Sequence, residues 1–362
     1  SIPIFFANLV IPLVAIVDTG LMGNLDNASY LTATSIATSV FSLIFWSFGF
    51  LRMGTVGLVA QAHGSNQYEE IVNLVFQNIA FVIIISLLLV IFQKYIFTIA
   101  LSIFDLSNET SKYFKEYFEI RIYSSFGELI IFIITGLFIG LQRTTISSVV
   151  VGFFSITNIV LSLIFVISFD LDVRGVALGT VLSSTLTAII FLCYTFFELK
   201  KFTSIKINIA KIFNLKKIKK LFNINLDIFI RSALLTFSFI FFTYLGNTIS
   251  EDVVAANTIL LNLIMLSAFI LDAYAFSTEG IVGYSIGSKN KTLLTNVIKN
   301  SFILSASTGL FISLIFLVGK DNFISIMTDL PDIKNLSFSY SHWVVIIPFI
   351  SCFCFQFDGI FI

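Results

Sequence analysis

One aspartate stands alone in the first apolar run of this chain. Asp18, in Ile-Val-Asp-Thr-Gly, has no lysine or arginine within a turn or two. An ionised carboxylate in such surroundings costs several kcal/mol unless it faces a cavity or a partner, so poor compensation suits a group that takes up and releases a proton. Further along, Asp272 and Glu279 are seven residues apart, two helical turns, so both can share one helix face. Asp358 lies in the last apolar run. These carboxylates suit proton or cation exchange, or attraction of a cationic ligand into a cavity. Asp227 and Arg231, four apart, read as a local ion pair. Arg52 and Glu128 have no partner assignable from sequence. His63 and His342 sit at run ends and read as solvated or hydrogen-bonded, not catalytic. Cys193, Cys352 and Cys354 all lie in apolar runs, where a thiol behaves as a small hydrophobe. No His-Glu-x-x-His pattern or other metal motif occurs, so neither an enzyme nor a metal or cofactor site is expected.

The elements that must position these groups are membrane helices. Apolar residues make up 57% of the chain, charged residues only 12%, and the mean hydropathy is +1.00, which cannot coat a water-soluble surface. The long runs are able to cross a hydrocarbon core of roughly 30 Å. The pattern predicts an all-α polytopic membrane protein with helices over 2–23, 30–62, 70–92, 116–141, 145–169, 174–198, 224–247, 253–286, 293–319 and 336–362. The first run begins at Ser1 and the last stops within apolar sequence at Ile362, so the expectation is a longer protein cut at both ends.

Net charge is zero, and no nucleic-acid partner is expected; the distribution of charge is more informative. Eight lysines fall between Lys200 and Lys220, and the positive-inside rule places that connection in the cytoplasm, close to anionic head groups. Alternation then puts the N-terminus in the cytoplasm as well.

An internal repeat appears at an offset of 223. Thr55, Gly57, Val59, Gly64 and Ser65 match Thr278, Gly280, Val282, Gly287 and Ser288; Gly136 and Phe138 match Gly359 and Phe361. Six helices per repeat give two lobes in parallel orientation. The expected division is an N-lobe over 1–199 (helices 1–6), a basic cytoplasmic loop over 200–223 and a C-lobe over 224–362 (helices 7–10), its last two helices missing. The carboxylates do not recur: Asp272, Glu279 and Asp358 lie opposite Gly49, Val56 and Thr135, and Asp18 lies opposite Phe241.

Four segments carry a family resemblance: Val17-Asp18-Thr19-Gly20-Leu21-Met22-Gly23, Phe48-Gly49-Phe50-Leu51-Arg52-Met53-Gly54-Thr55 with Ala60-Gln61-Ala62-His63-Gly64, Gly136-Leu137-Phe138-Ile139-Gly140-Leu141-Gln142, and Gln356-Phe357-Asp358-Gly359-Ile360-Phe361-Ile362. In this order and spacing they resemble helices 1, 2, 4 and 10 of the MATE (multidrug and toxic compound extrusion) transporters, DinF-like branch. The resemblance implies twelve helices when complete, two lobes related by a pseudo-two-fold axis, and alternating-access export driven by inward H⁺ or Na⁺ flow. It implies a network of Asp18 with Asn158 and Thr180; the second carboxylate of the archaeal H⁺-coupled relatives falls on Ser162. With one carboxylate fewer, H⁺ is the expected coupling ion over Na⁺. Pro3 matches the proline at which the family's first helix bends, and Pro12 adds a second break in the hydrogen-bond ladder. Asp358 matches a coupling carboxylate of the NorM-like branch. Asp272 and Glu279 are candidates for the substrate cavity.

The expected partners are a lipophilic, often cationic small molecule and membrane lipid, with a monomer in the bacterial inner membrane. The 43 phenylalanines do not identify the substrate, since most must face lipid or pack. The alternative, a lipid-linked-precursor flippase of the same superfamily, calls for a strongly cationic cavity, whereas only Arg52, Arg121 and Arg231 lie within the runs.

Overall fold

A computed structural model describes residues 2–23, 25, 28–104, 106–201, 215–328 and 330–361. The N-lobe helices are α1 (Ile2–Gly23), α2 (Ala28–Ser47), α3 (Phe50–Gly64), α4 (Tyr68–Ile91), α5 (Gln93–Ile103), α6 (Asn108–Arg121), α7 (Ser124–Gly140), α8 (Thr144–Leu163) and α9 (Asp172–Lys200). There follow α10 (Leu215–Ile249), α11 (Glu251–Gly287), α12 (Lys291–Met327), α13 (Pro331–Tyr340) and α14 (His342–Phe361). A wider π turn, Ile164–Ser168, continues α8. Among the described residues eight helical segments are long and apolar enough to cross a membrane, or nine with the bent pair α6 and α7, and α1 adds 22 residues of spanning length. All ten expected helices are therefore present in an all-α membrane fold.

Three of them are broken. Helix 30–62 is α2 plus α3, joined by a tight turn in which the Phe48 and Gly49 amides donate to the Phe45 and Trp46 carbonyls, both at 3.0 Å. Helix 116–141 is α6 plus α7, bent by 51°. Helix 336–362 is α13 plus α14, interrupted at Ser341. The segment 93–115, read as a loop, contains α5. Its Ile96, Phe97, Ala100 and Leu101 pack into the core, which explains a helix too short to span.

Helices α1–α9 pack mainly on one another, through α8 on α9, α3 on α7, α1 on α8 and α2 on α6; α11, α12 and α14 form a second group. The groups meet where α11 lies along α3, α7 and α1, and where α10 lies along α3. Large apolar side chains such as Leu234, Phe237, Phe241, Phe311 and Val318 point outward, as expected where lipid is the solvent. Of the basic connection predicted over 200–223, residues 202–214 lie outside the described residues, and 215–223, with Lys216, Lys217, Lys219 and Lys220, are the first turns of α10 in place of the loop expected, so the seventh helix starts nine residues earlier than 224.

The 223-residue repeat is built into the backbone. A Cβ on Gly64 would collide with the Tyr284 carbonyl, and one on Gly287 with the Gln61 carbonyl, so the ends of α3 and α11 touch through two repeat-related contacts. A Cβ on Gly136 would come 2.7 Å from the Arg52 carbonyl, and one on Gly359 would strike the carbonyl of Ala275, the repeat partner of Arg52. Both α3 and α11 end the same way. Asn66 and Lys289 take φ of 58° and 53°, and the following amides reach back from Gln67 to the Ala62 carbonyl (2.8 Å) and from Asn290 to the Ser285 carbonyl (3.0 Å).

This backbone contact should tolerate no side chain. Gly287→Leu is expected to cost about 1–3 kcal/mol through overpacking and to lower the thermal midpoint in detergent by several degrees. Gly152→Leu, at a helical position open on its Cβ side, should leave that midpoint unchanged or raise it.

Candidate functional site: two buried charge clusters

The packing of α1 on α8 and of α8 on α9 assembles the first cluster. Gly179 lets α9 approach α8 closely, since a Cβ there would fall 2.7 Å from Ser162 Oγ. Asn158 Nδ2 donates to Thr180 Oγ1 at 2.9 Å and, less directly, to Ser183 Oγ at 3.4 Å. Thr180 Oγ1 donates in turn to the Val176 carbonyl at 3.1 Å. Asp18 comes beside Ser162. Asp18 Oδ1, Ser162 Oγ and Asn158 Oδ1 are all buried without a hydrogen-bond partner among the described residues. Buried oxygens gathered in this way attract a proton, a water or a cation.

Arg121, the last residue of α6, also lies within electrostatic reach of Asp18. Its Nη1 pairs with Glu128 Oε1 at 2.5 Å and bonds Ser124 Oγ, while the guanidinium lies 5.1 Å and 5.3 Å from the Phe41 and Phe45 ring centres. Tyr117, one turn earlier on α6, hydrogen-bonds Arg121 and lies within electrostatic reach of Asp18. The sequence left Glu128 without a partner. The spacing 121, 124, 128 was the available signal, weakened because the α6–α7 bend falls inside it.

The second cluster lies between the lobes. Arg52, on α3, sets its guanidinium 3.7 Å from the Phe276 ring centre, and Phe276 stands between Asp272 and Glu279 on the same stripe of α11. Asp272, Glu279 and Asp358 are all within electrostatic reach of Arg52, and Glu279 Oε1 is buried without a hydrogen bond. The structure corrects the local pairing expected for Arg231. Its Nη2 reaches Asp358 Oδ2 at 2.7 Å, across from α10 to α14, and not Asp227 one turn back. The partner on a neighbouring helix wins because Asp358 is the less exposed carboxylate, with more to gain from a counter-ion. A cavity of about 690 Å³ opens beside this pair, lined by Gly57, Gln61, Asp227, Arg231, Phe357 and Asp358 among others.

Other residues fall outside both clusters. Pro3 sits at the Ile2 end of α1, fifteen residues from Asp18 and so about 22 Å along the helix. Ile4 beside it packs on Val56, Ile139, Ala273 and Phe276. His342 Nδ1 approaches the Ser339 carbonyl at 3.2 Å, and His63 is half-buried between the Tyr68 and Tyr284 rings, with Nδ1 unpaired and a hydrogen bond to the Gly140 backbone. All three cysteines are free, and no three His, Cys, Asp or Glu side chains gather as a metal-ligand set among the described residues.

Lipid-facing helices that turn carboxylates and arginines inward toward a cleft between two lobes define a polytopic membrane transporter. The MatE family model matches residues 3–164 and 228–362, and the chain belongs to that family of transporters, which are not enzymes. It is 30% identical over 364 residues to the DNA damage-inducible protein F of Escherichia coli K12, covering 100% of this chain and 79% of that protein, which places it in the DinF-like branch. It is 24% identical over 242 residues to the multidrug export protein MepA of Staphylococcus aureus, covering 66% of this chain and 52% of MepA. Among solved structures, a MOP superfamily transporter from Pyrococcus furiosus superposes with a TM-score of 0.87 at 20% identity, over 99% of this chain and 81% of that one. The Vibrio cholerae MATE transporter VcmN in its bent form superposes at 0.86 and 18% identity, with the same coverage. These likenesses establish the two-lobed fold.

The Arg231–Asp358 pair makes a direct test of cross-helix stitching. Arg231→Met should lower the thermal midpoint in detergent by a few degrees, a cost of about 1 kcal/mol because Arg231 is well exposed and the pair partly screened. Adding Asp358→Leu should restore most of it, since the unpaired carboxylate is then gone.

Proposed function

We propose that this chain is a secondary antiporter that exports lipophilic, often cationic small molecules in exchange for H⁺ by alternating access. The observation that carries the reading is Asp18: an inward-turned carboxylate with a buried, unpaired Oδ1 beside Ser162, one helix packing away from the Asn158–Thr180 pair. Protonation removes its charge and turns it from acceptor to donor, so its partners on α8 change. α1 then shifts as a body, with bending at Pro3 as the route by which the far end follows. Ser162 in place of a second carboxylate leaves this lobe less negative, which favours H⁺ over Na⁺. No cofactor is needed.

In this reading Asp272, Glu279 and Asp358 make the cleft between the lobes attractive to a cationic substrate. The flippase alternative needs arginines free for phosphate. Here Arg121 is paired with Glu128, Arg231 with Asp358, and Arg52 faces Asp272 and Glu279, which speaks against it. The protein would act as a monomer in the bacterial inner membrane, with the N-terminus and the basic 200–220 stretch in the cytoplasm.

Reconstituted protein tests this directly. Dye transport driven by an imposed pH gradient should fall at least tenfold in Asp18→Asn, and an imposed Na⁺ gradient alone should drive little in either protein. Equal pH-driven transport by wild type and variant, or transport driven by Na⁺ alone, would overturn the reading.

A further inference from the structure

Arg52 differs from the other arginines that bridge helices in what it touches. Arg121, Arg143 and Arg231 each close on a carboxylate of another helix, Glu128, Glu198 and Asp358. The Arg52 guanidinium instead lies over the Phe276 ring, 3.7 Å from its centre, where α3 packs along α11. Glu279, one turn along α11 from that ring, keeps a buried Oε1 without a hydrogen bond among the described residues. Ile4 of α1, Val56 of α3, Ile139 of α7 and Ala273 of α11 pack with the ring. The repeat marks the same spot a second time. Phe276 lies 223 residues after Met53, and Met53 Sδ also meets a guanidinium, Arg231 Nη1 at 4.0 Å, beside the cavity of about 690 Å³. Ring and thioether are soft, polarisable surfaces, and each faces a cation supplied by another helix.

We propose that the Phe276 ring is the cation face of the substrate site and that Arg52 is its resident occupant, a built-in competitor displaced by an incoming planar, delocalised organic cation. The inference rests on the export reading above and narrows its substrate class. A guanidinium is itself a flat, delocalised cation, so a ligand that replaces it on the ring must offer the same flat charge. A larger planar cation does so and adds apolar surface for the Ile4, Val56 and Ile139 side chains that share the site. The displaced guanidinium has a place to go, since the unpaired Glu279 Oε1 lies on the same stripe of α11, one turn on. The exchange leaves neither cation without a partner. A neutral ligand of the same shape gains nothing from the ring's negative face and cannot compete with Arg52 for it.

Binding of ethidium to the purified protein in detergent, read by fluorescence anisotropy, tests this without transport. Arg52→Lys keeps the charge but replaces the flat fork with a compact, strongly hydrated ammonium, so the ring is freed and ethidium should bind about threefold more tightly or better. In Phe276→Leu ethidium should bind about fivefold more weakly, and adding Arg52→Lys to that background should bring no gain. Nile red, a neutral planar dye, should bind wild type and Arg52→Lys alike. Should Phe276→Leu fail to fold, a gain in Arg52→Lys confined to ethidium carries the same conclusion. Ethidium binding no tighter in Arg52→Lys than in wild type, undiminished binding in Phe276→Leu, an equal gain without the ring, or an equal gain for Nile red would make Arg52 a structural contact and overturn this inference, leaving the antiport reading intact. Failure of that reading shows separately, as pH-driven dye transport that Asp18→Asn does not alter.

Discussion

The intolerance of a lipid-embedded body for unpaired charge governs how this chain is assembled. An ionised group away from water must find a counter-charge, an aromatic face or a cavity, and on these helices the partner is usually across a helix boundary. Arg121 reaches from α6 to Glu128 on α7, Arg231 from α10 to Asp358 on α14, and Arg52 from α3 to the Phe276 ring on α11. At the α8 and α9 ends Glu198 takes both Arg143 and Lys201. With lipid on the outside there is little hydrophobic drive for helices to associate, so such pairs and close backbone contacts select which helices meet.

The backbone contacts follow the repeat, and the charges do not. Gly64 and Gly287 bring α3 and α11 together through mutual approaches to Tyr284 and Gln61, and the Gly136–Arg52 contact returns as Gly359–Ala275. At the first of these the repeat-related helices face one another, as a two-fold contact requires. At the second, the same contact recurs once within each lobe, with the arginine of one replaced by an alanine in the other.

Much of this was legible in the sequence. The span positions follow from runs of apolar residues, and the Asn158–Thr180 contact followed from spacing within a family pattern, since two polar residues on adjacent helices of an apolar bundle have few other partners. Partner choice between distant segments was harder. Asp227 and Arg231 satisfied the local helical rule, and only the packing of α10 against α14 shows that Asp358 competes successfully. The Arg121–Glu128 pair was hidden for the opposite reason: its spacing suits one continuous helix, but the chain bends within it. Helix α5 escaped because eleven residues with one apolar face carry too weak a signal to separate from a loop.

A symmetric scaffold bearing asymmetric charge implies a division of labour. Where Asp18 turns toward Ser162 in the first lobe, its repeat partner Phe241 is an exposed, lipid-facing ring. Where Asp272 and Glu279 flank Arg52 across the seam, their repeat partners Gly49 and Val56 carry no charge at all. Charges demanded by the fold itself would recur with the glycines and helix ends that do recur. Those that appear once and are not used up in pairing helices are, in the antiport reading, the ones assigned to what one lobe does and the other does not. The first lobe holds one carboxylate, Asp18, beside the unpaired buried oxygens of Ser162 and Asn158, a set that in the antiport reading gains and loses one charge. The seam holds Asp227, Asp272, Glu279, Asp358, Arg52 and Arg231 spread over four helices beside an open cavity. Because α1 packs on both α8 and α11, one helix joins the first cluster to the seam without a chain of intervening polar contacts.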